Sequence, residues 1–190
     1  MALQKENDKP DPLRVFTIGH SVHPIDEFIA LLKNHNIQLL VDIRSFPGSR
    51  FVPWFNAGAL AESLSAVGIG YYLLTELGGR RKVQKDSVNT GWRQPAFRGF
   101  ADYMQTEAFV RGLAELMMLS RRQRVCIMCA EAVPWRCHRM LVADALVTKG
   151  IEVWHIHPDG TLHTHQLTPF AQIRNGKLVY PSETHSEGSS

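Results

Sequence analysis

Apolar positions along the chain alternate between short continuous runs and stretches with helical spacing. The continuous runs LRVFTIG, IQLLVDIR, IGYYLLTEL, RVCIMCA and IEVWHI predict β-strands. The segment after the first run, PIDEFIALLKNHN, repeats its apolar residues every three or four positions, which predicts an amphipathic helix. The second run is apolar almost throughout, as is typical of strands that are covered on both faces.

Further helices are predicted in AGALAESLSAVG, EAFVRGLAELMMLSRR and WRCHRMLVADALVTKG. Asn56 and Thr106 precede the first two and are residue types that cap helices, whereas Gly68 and Gly150 end the first and the third. Strands that alternate with helices favour right-handed crossovers and a largely parallel sheet. We therefore predict an α/β fold, a single-domain layered fold with a mostly parallel central sheet flanked by helices.

The two ends of the chain lack the apolar residues of the middle. Residues 1–12 are polar and contain prolines, and residues 176–190 are rich in Ser, Glu, His and Gly. Segments of this kind bury too little apolar surface to offset the entropy of ordering. We predict disordered tails at 1–12 and 176–190 and a single α/β domain at 13–175, a size that suits one hydrophobic core.

The composition is that of an ordinary globular protein, with 44% hydrophobic residues and a net charge of +3. No apolar run approaches the roughly 20 residues that cross a bilayer, and the start MALQKENDKP carries charges where a secretory signal is apolar. We expect a cytoplasmic protein without a membrane partner. Because its three cysteines lie in one short window, we expect reduced thiols and no disulfide framework.

Polar residues follow the carboxyl ends of the predicted strands, where open α/β sheets bind ligands. This convergence predicts a site whose catalytic candidates are His20, Asp42, Cys129 and Glu131. The candidates for substrate binding are Arg44, Glu76, Arg80, Arg81, Trp92, Arg93, Arg136, Cys137, His138 and Arg139.

Several of these residues also have a purely structural interpretation. His20 suits a turn or a helix start, Asp42 suits an ion pair with Arg44 or Arg50, and the run after the Gly-Gly pair suits a solvated loop. The long segment KVQKDSVNTGWRQPAFRGFADYM interleaves aromatics with arginines, as surfaces that stack bases do. The alternative for these aromatics is a small core that pins two loops.

The segment CIMCAEAVPWRCHRM contains all three cysteines. In a strand, Cys126 and Cys129 point to opposite faces, so we interpret Cys126 as a core residue and the C-x-x-C as fortuitous. Cys129 ends the strand, and the helix predicted from Trp135 has no capping side chain before it, which leaves its first amides free for an anion. The order of strand, thiol, loop, arginine and helix resembles cysteine phosphatases and rhodaneses. Phosphatases, however, place the arginine six positions after the cysteine, where this chain has Trp135, and Pro134 removes an amide donor.

A metal site is the alternative use of the same thiols. Its ligands would be Cys129, Cys137 and His138, and no other cofactor is predicted. The segment HIHPDGTLHTH offers more histidines. If Asp159-Gly160 forms a two-residue turn, Ile156 faces His163 and the two histidine pairs lie on opposite faces of the hairpin, which disfavours a clip there.

Several motifs occur in an order that resembles the bacterial and archaeal family called domain of unknown function 488: TIGHS, LLVDIRSFPGSR, PWFN, ELGGRRK, NTGWRQPAFRGFADYM, MCAEAVPWRCHR and LTPFA. The resemblance spans Arg14 to about Ile173. It implies a single α/β domain and no established activity. The residues that match the family signature are His20, Asp42, Arg44, Glu76, Gly78, Cys129, Glu131, Pro134, Cys137, His138 and Arg139.

The first functional hypothesis is an enzyme that acts on an anionic, phosphate-bearing substrate such as a nucleotide or a nucleic acid. Its arginines would bind the anion, and Glu131 or Asp42 would act as general acid or base with His20 as a partner. Cys129 would be the nucleophile of a covalent mechanism. The alternatives are a non-catalytic nucleic-acid-binding module that stacks bases on Trp54, Trp92 and Trp135, and a metal protein with thiol and histidine ligands. Nothing in the sequence predicts the oligomeric state.

Overall fold

The computed structural model describes residues 11–183 and shows a six-stranded sheet in the order β3-β2-β4-β1-β5-β6. The first five strands along the chain are parallel, and β6 is antiparallel to β5 at one edge. The strands are β1 (Arg14–Gly19), β2 (Leu39–Asp42), β3 (Gly70–Leu73), β4 (Val125–Cys129), β5 (Glu152–Ile156) and β6 (Leu162–Thr164). A separate hairpin follows, made of β7 (Gln172–Arg174) and β8 (Lys177–Val179).

The helices are α1 (Ile25–Asn34), α2 (Ala57–Ser65), α3 (Pro95–Tyr103), α4 (Glu107–Arg122) and α5 (Arg139–Thr148). Short 3₁₀ turns lie at Pro53–Phe55, Thr75–Leu77 and Pro134–Arg136. The predicted single-domain α/β fold with a mostly parallel sheet is thereby confirmed. Within the described part of the chain, no helix has the length and apolar character needed to cross a membrane.

The sheet is covered on both faces by separate apolar clusters, which makes three layers. Alternate residues of one strand enter different clusters: Val15 joins the side chains of α3, α4 and α5, whereas Phe16 joins those of α1 and α2. In β4, Ile127 and Cys126 divide in the same way. This period of two explains why the central strands read as continuous apolar runs.

Two predicted helix starts behave differently. The Thr106 hydroxyl accepts a hydrogen bond from the amide of Phe109 at 3.3 Å, which confirms the predicted cap of α4. Asn56 precedes α2, but its side-chain oxygen instead accepts from the amide of Ser49 at 2.6 Å and fixes the preceding loop. The long segment after β3 also contains α3, a helix that is not among the predicted ones.

The helix predicted from Trp135 begins four residues later, at Arg139. Pro134 opens a 3₁₀ turn, Cys137 is extended, and His138 stands at the N-cap without a side-chain cap. The predicted shortage of capping groups is therefore correct, but the cysteine and histidine precede the helix proper.

The C-terminal boundary at 175 was placed too early. Residues 177–179 form β8, and the adjacent Tyr180 is fully buried, with its hydroxyl donating to Asp144 at 2.8 Å. Three apolar residues, Leu178, Val179 and Tyr180, are enough to order this segment because they pack into the cluster that contains α5 and Trp92. Of the predicted tails, residues 1–10 and 184–190 lie outside the described residues.

The predicted register of the histidine hairpin was wrong by one residue. His155, not Ile156, pairs with His163, because the turn contains Pro158 as well as Asp159 and Gly160. Gly160 takes a φ of +84°, as glycine in a three-residue hairpin loop does. All four hairpin histidines therefore share one face; His155 and His165 are buried in it, and the rings of His157 and His163 lie 4.2 Å apart.

Candidate functional site

A cavity of about 320 Å³ opens at the carboxyl ends of β2 and β4, which are neighbours in the sheet. Its wall contains basic, sulfur-containing and aromatic side chains from four separate segments. They are Arg44, Ser45 and Phe46; Gly79 and Arg80; Gln94, Ala96 and Phe97; and Cys129, Ala130, Glu131, Arg136, Cys137 and His138.

The Cys129 thiol lies at the base of this cavity, in contact with a buried guanidinium. Nη1 of Arg139 donates to Cys129 Sγ at 3.1 Å and to the carbonyl of Glu131 at 2.9 Å. Nη2 donates to the carbonyl of Ala132 at 3.1 Å. The first residue of α5 thus holds both the sulfur and the loop that follows it.

Arg139 has no solvent exposure and, among residues 11–183, no carboxylate within ion-pair distance. Its Nε is buried without a hydrogen-bond partner. An unpaired buried charge is costly, and the cost falls when a neighbouring acid ionises. The acid that touches Arg139 is Cys129, so ionisation of the Cys129 thiol would lower this cost.

The surroundings of Cys129 act on its pKa in opposite directions. Burial raises the pKa, but contact with the Cys137 thiol, the charge and hydrogen bond of Arg139, and the backbone of Glu131 lower it. The lowering contributions prevail, and the pKa of Cys129 lies below the ordinary thiol value. Burial and the neighbouring Cys129 raise the pKa of Cys137, so Cys137 keeps the proton of the pair.

His138 stands beside Cys137 with a defined tautomer. Its Nε2 lies 3.1 Å from the carbonyl of Ile43, which only accepts, so Nε2 carries the proton. Burial lowers the pKa of His138 to about 4, so the ring is neutral near pH 7 and Nδ1 is an acceptor. That Nδ1 lies 3.5 Å from Cys137 Sγ.

Gly19 permits this assembly. It ends β1 opposite Cys129 in the sheet register. A Cβ built at Gly19 would overlap the carbonyl oxygen of Glu131 and lie 2.6 Å from Nη1 of Arg139. Only a residue without a side chain allows the loop after β4 to pass so close to the end of β1.

Arg44 is held by a second buried network. Its Nε and Nη2 donate to the two oxygens of Asp42 at 2.9 and 2.7 Å, and Nη2 also donates to the carbonyl of Phe55. Nη1 donates to Nε2 of His20 at 3.1 Å. Tyr71 adds a hydrogen bond to Asp42 at 2.6 Å. Nη1 has a second N–H, for which the described residues offer no further hydrogen-bond partner, and Arg44 lines the cavity.

This network differs from the predicted catalytic roles of Asp42 and His20. Asp42 has no exposed surface, and its oxygens are occupied by Arg44 and Tyr71. His20 donates from Nδ1 to the Ser21 carbonyl and stacks on Phe55, and burial lowers its pKa to about 4. Neither residue is part of the cavity wall, and both position Arg44. Asp42 pairs with Arg44, the first of the two arginines that the structural interpretation considered.

The more exposed polar residues of the wall come from two loops. Arg80 has a φ of +62°, an uncommon conformation for a residue with a side chain, and its guanidinium lies 5.6 Å from the ring of Phe46. Arg136 and Glu131 are exposed residues of the β4–α5 loop. Free rotation in water suits these side chains to contact an incoming ligand.

Of the remaining predicted site residues, Glu76, Arg81 and Arg93 do not line this cavity, although Arg81 lines an adjoining depression together with Ser45, Phe46 and Arg80. Arg81 stacks on Tyr103 at 3.6 Å and donates to the Gly78 carbonyl, and the side chain of Glu76 packs over Gly112. Arg93 lies in a separate depression near Pro181. These residues were predicted from loop position alone, which does not specify the direction of a side chain.

The aromatic residues after β3 form the small core that was the alternative to a stacking surface. Trp92 packs against Phe97, Phe170 and Tyr180. Trp54 is also packed inward and donates to the carbonyl of His23. Of the three tryptophans considered for stacking, only Trp135 is largely exposed.

Sequence reasoning missed Tyr71, Ser45 and the exposed Phe46. Tyr71 alternates with exposed Tyr72 on an edge strand, a pattern that indicates one inward face. Ser45 and Phe46 directly follow Arg44, so proximity to a predicted anion-binding residue was the available signal.

The structure adds no support for the alternative of a metal site. Among residues 11–183, no group of three or more His, Cys, Asp or Glu side chains is arranged to hold a metal ion. Cys129, Cys137 and His138 share the cavity, but Nε2 of His138 already donates to Ile43 and its Nδ1 faces Cys137.

The fold and the site define an α/β protein with a buried thiol pair at the carboxyl edge of a parallel sheet. Residues 24–146 match the model of the family described as Domain of unknown function DUF488. The chain therefore belongs to this family, which confirms the resemblance of its motifs. The match contains both Cys129 and Arg139, and His20 lies just before it. No curated protein and no solved structure matches the chain.

Proposed function

We propose that the protein is an enzyme that uses the Cys129 thiolate as a nucleophile on an anionic substrate. The single observation that carries the proposal is the buried Arg139, which contacts Cys129 Sγ at 3.1 Å and has no carboxylate partner among residues 11–183. A cysteine that only fills space in the core needs no guanidinium beside its sulfur. A guanidinium fixed on a thiolate, at the base of a cavity, favours nucleophilic chemistry.

The cavity wall supports an anionic substrate. Arg44, Arg80 and Arg136 bring three guanidinium groups to one opening, against the single carboxylate of Glu131. Guanidinium groups pair well with phosphate and carboxylate oxygens. The volume of about 320 Å³ lies at the lower end of ligand pockets, which suits a nucleotide-sized group or part of a nucleic-acid backbone.

The roles divide as follows under this proposal. Arg44, Arg80 and Arg136 bind the anion, and Cys129 attacks the electrophilic centre. Glu131 is the general acid or base, since it is the carboxylate that lines the cavity. Asp42 and His20 position Arg44 and do not touch the substrate.

Two alkylating agents test the proposal because they differ in charge. Iodoacetate is anionic and iodoacetamide is neutral, and both react with thiolates. We expect Cys129 to react near pH 7 at least about tenfold faster than an ordinary thiol. We also expect the ratio of the iodoacetate rate to the iodoacetamide rate to be higher for Cys129 than for glutathione, because the arginines attract the carboxylate of iodoacetate. The site of alkylation is read by peptide mass spectrometry.

Matched variants and ions complete this test. Arg136→Gln should lower the preference for iodoacetate, whereas Arg174→Gln, on the distant β7, should not. Inorganic phosphate should protect Cys129, and added salt should reduce the charge preference. Slow alkylation of Cys129, equal to that of the buried Cys126, would overturn the proposal.

A further inference from the structure

Cys129 and Cys137 are two thiols that line one cavity, and an enzyme with a single nucleophile does not require the second. Arg139, the first residue of α5, donates to Cys129 Sγ at 3.1 Å, and Cys137 stands two residues before it. Cys137 is 4% exposed, and its sulfur lies 3.5 Å from Nδ1 of His138. The two thiols also act on each other's pKa in opposite directions, as neighbouring acids do. The cavity therefore holds one thiol beside a guanidinium and a second thiol beside a base.

We propose that this pair carries a second, redox activity: Cys129 reacts with small hydroperoxides, and Cys137 resolves the product as a Cys129–Cys137 disulfide with His138 as its proton acceptor. The inference rests on the proposed function to the extent that both need the Cys129 thiolate. It adds an oxidant class and assigns Cys137 and His138 a role that anion binding does not provide.

In the first step, the Cys129 thiolate attacks the terminal oxygen of a hydroperoxide. An S–O bond forms, the O–O bond breaks, and the leaving alkoxide or hydroxide takes a proton from solvent. Cys129 becomes a sulfenic acid, so the sulfur is oxidised by the two electrons that reduce the peroxide. The guanidinium of Arg139, 3.1 Å from the sulfur, keeps Cys129 ionised before the attack.

In the second step, Cys137 passes its proton to Nδ1 of His138 and attacks Sγ of Cys129. The S–S bond forms as the S–O bond breaks, and the departing hydroxide leaves as water after taking the proton from His138. The hydrogen bond from Nε2 to Ile43 prepares the ring for this step, because it leaves Nδ1 without a proton. An external dithiol then reduces the disulfide and becomes a disulfide itself.

Cys126 is the internal control that the sequence provides. It lies three residues before Cys129 but points to the opposite face of β4, among Phe16, Met128 and other apolar side chains. Burial raises its pKa. A nonspecific oxidation would not select the two cysteines that line the cavity over Cys126, which does not line it.

The test exposes the full-length, reduced protein to a small excess of hydrogen peroxide, then denatures it in N-ethylmaleimide. Peptide mass spectrometry identifies which cysteines are linked. We expect a Cys129–Cys137 disulfide with Cys126 alkylated, and recovery of three alkylated cysteines after dithiothreitol. Cys126→Ala should form the same disulfide at the wild-type rate.

Variants of Cys137 and His138 test the second step separately from the first. Cys137→Ser should halt at the sulfenic acid of Cys129, trapped as its dimedone adduct. His138→Gln should form the same disulfide but at least about tenfold more slowly, with the adduct trapped in the meantime. Cys129 oxidised without a bond to Cys137, or linked to Cys126 instead, overturns the inference.

Failure of this inference and failure of the proposed function are distinguishable in reduced wild-type protein. Rapid, iodoacetate-selective alkylation of Cys129 without any Cys129–Cys137 disulfide removes only the redox activity. If Cys129 resists both the alkylating agents and peroxide, both proposals are wrong.

Discussion

Arg139 and Arg44 show how differently two buried arginines are neutralised. Arg44 has a bidentate carboxylate, a histidine and a carbonyl as partners. Arg139 has two carbonyls and a sulfur. The first arrangement includes a carboxylate that neutralises the guanidinium. The second includes no carboxylate among residues 11–183, and ionisation of Cys129 would supply the counter-charge under the proposed function.

The Asp42–Arg44 pair supplies a prediction at this scale. Asp42→Asn should destabilise the protein by about 3 to 5 kcal/mol, because it leaves the guanidinium of Arg44 in the interior without a counter-charge. Urea unfolding followed by circular dichroism measures the change.

The matched control breaks an ion pair at the surface. Glu152→Gln removes the partner of Arg14, where both side chains are more than a third exposed, and should change the free energy of unfolding far less than Asp42→Asn does, because solvent screens this pair. Equal effects of the two variants would contradict the positioning role of Asp42.

Single residues were only partly predictable from the sequence. The carboxyl end of a parallel strand and the loop after it are where open α/β sheets bind ligands. This rule was enough to predict Cys129, Glu131 and Arg136. Trp92 and Arg93 were assigned to the site but do not line the cavity, and Arg81 lines only the adjoining depression, since a side chain in a long loop takes its direction from tertiary packing. The sequence does not show which side chains surround Arg139 in space, so its lack of a carboxylate partner could not be predicted.

At the scale of elements, the site depends on how closely the loop after β4 approaches the end of β1. The strands and α1, α2 and α4 follow from apolar periodicity and were predictable. The start of α5 was misplaced because Pro134-Trp135-Arg136 forms a 3₁₀ turn with the same composition as a first helical turn. That turn lets Cys137 and His138 enter the cavity instead of lying on successive faces of a helix.

Replacing glycine by alanine should change the free energy of unfolding in opposite directions at Gly19 and Gly58. Gly19→Ala should destabilise the protein by about 1 to 3 kcal/mol or more, because the new Cβ overlaps the Glu131 carbonyl. Gly58→Ala should stabilise it by about 0.5 to 1 kcal/mol, because Gly58 lies inside α2 with nothing near the added Cβ. Both are measured by urea unfolding.

The site also provides a readout for this pair of variants. Gly19→Ala should slow the alkylation of Cys129 by displacing the loop that holds it, and Gly58→Ala should leave it unchanged. Normal Cys129 reactivity in Gly19→Ala would show that the close approach of the loop does not matter to the thiol.

At the scale of the whole molecule, the sheet brings together residues that are far apart in the chain. β2, β4 and β1 are adjacent, so the Arg44 network and the cysteine loop meet at one edge although more than eighty residues separate them. The strand order was not predictable from periodicity, which indicates elements but not their neighbours. The C-terminal segment was misjudged for a similar reason, since Tyr180 becomes ordered only by burial against Trp92 and Asp144.

Under the proposed function, the folded protein holds Cys129 as a thiolate through Arg139. The most direct measurement is the ultraviolet absorbance of the thiolate as pH rises from about 4 to 10, with Cys129→Ser subtracted from the wild type. We expect a midpoint below that of an ordinary thiol, and a higher midpoint in Arg139→Met, whose apolar side chain suits the buried position. A wild-type midpoint at or above the ordinary thiol value, unchanged in Arg139→Met, would contradict it.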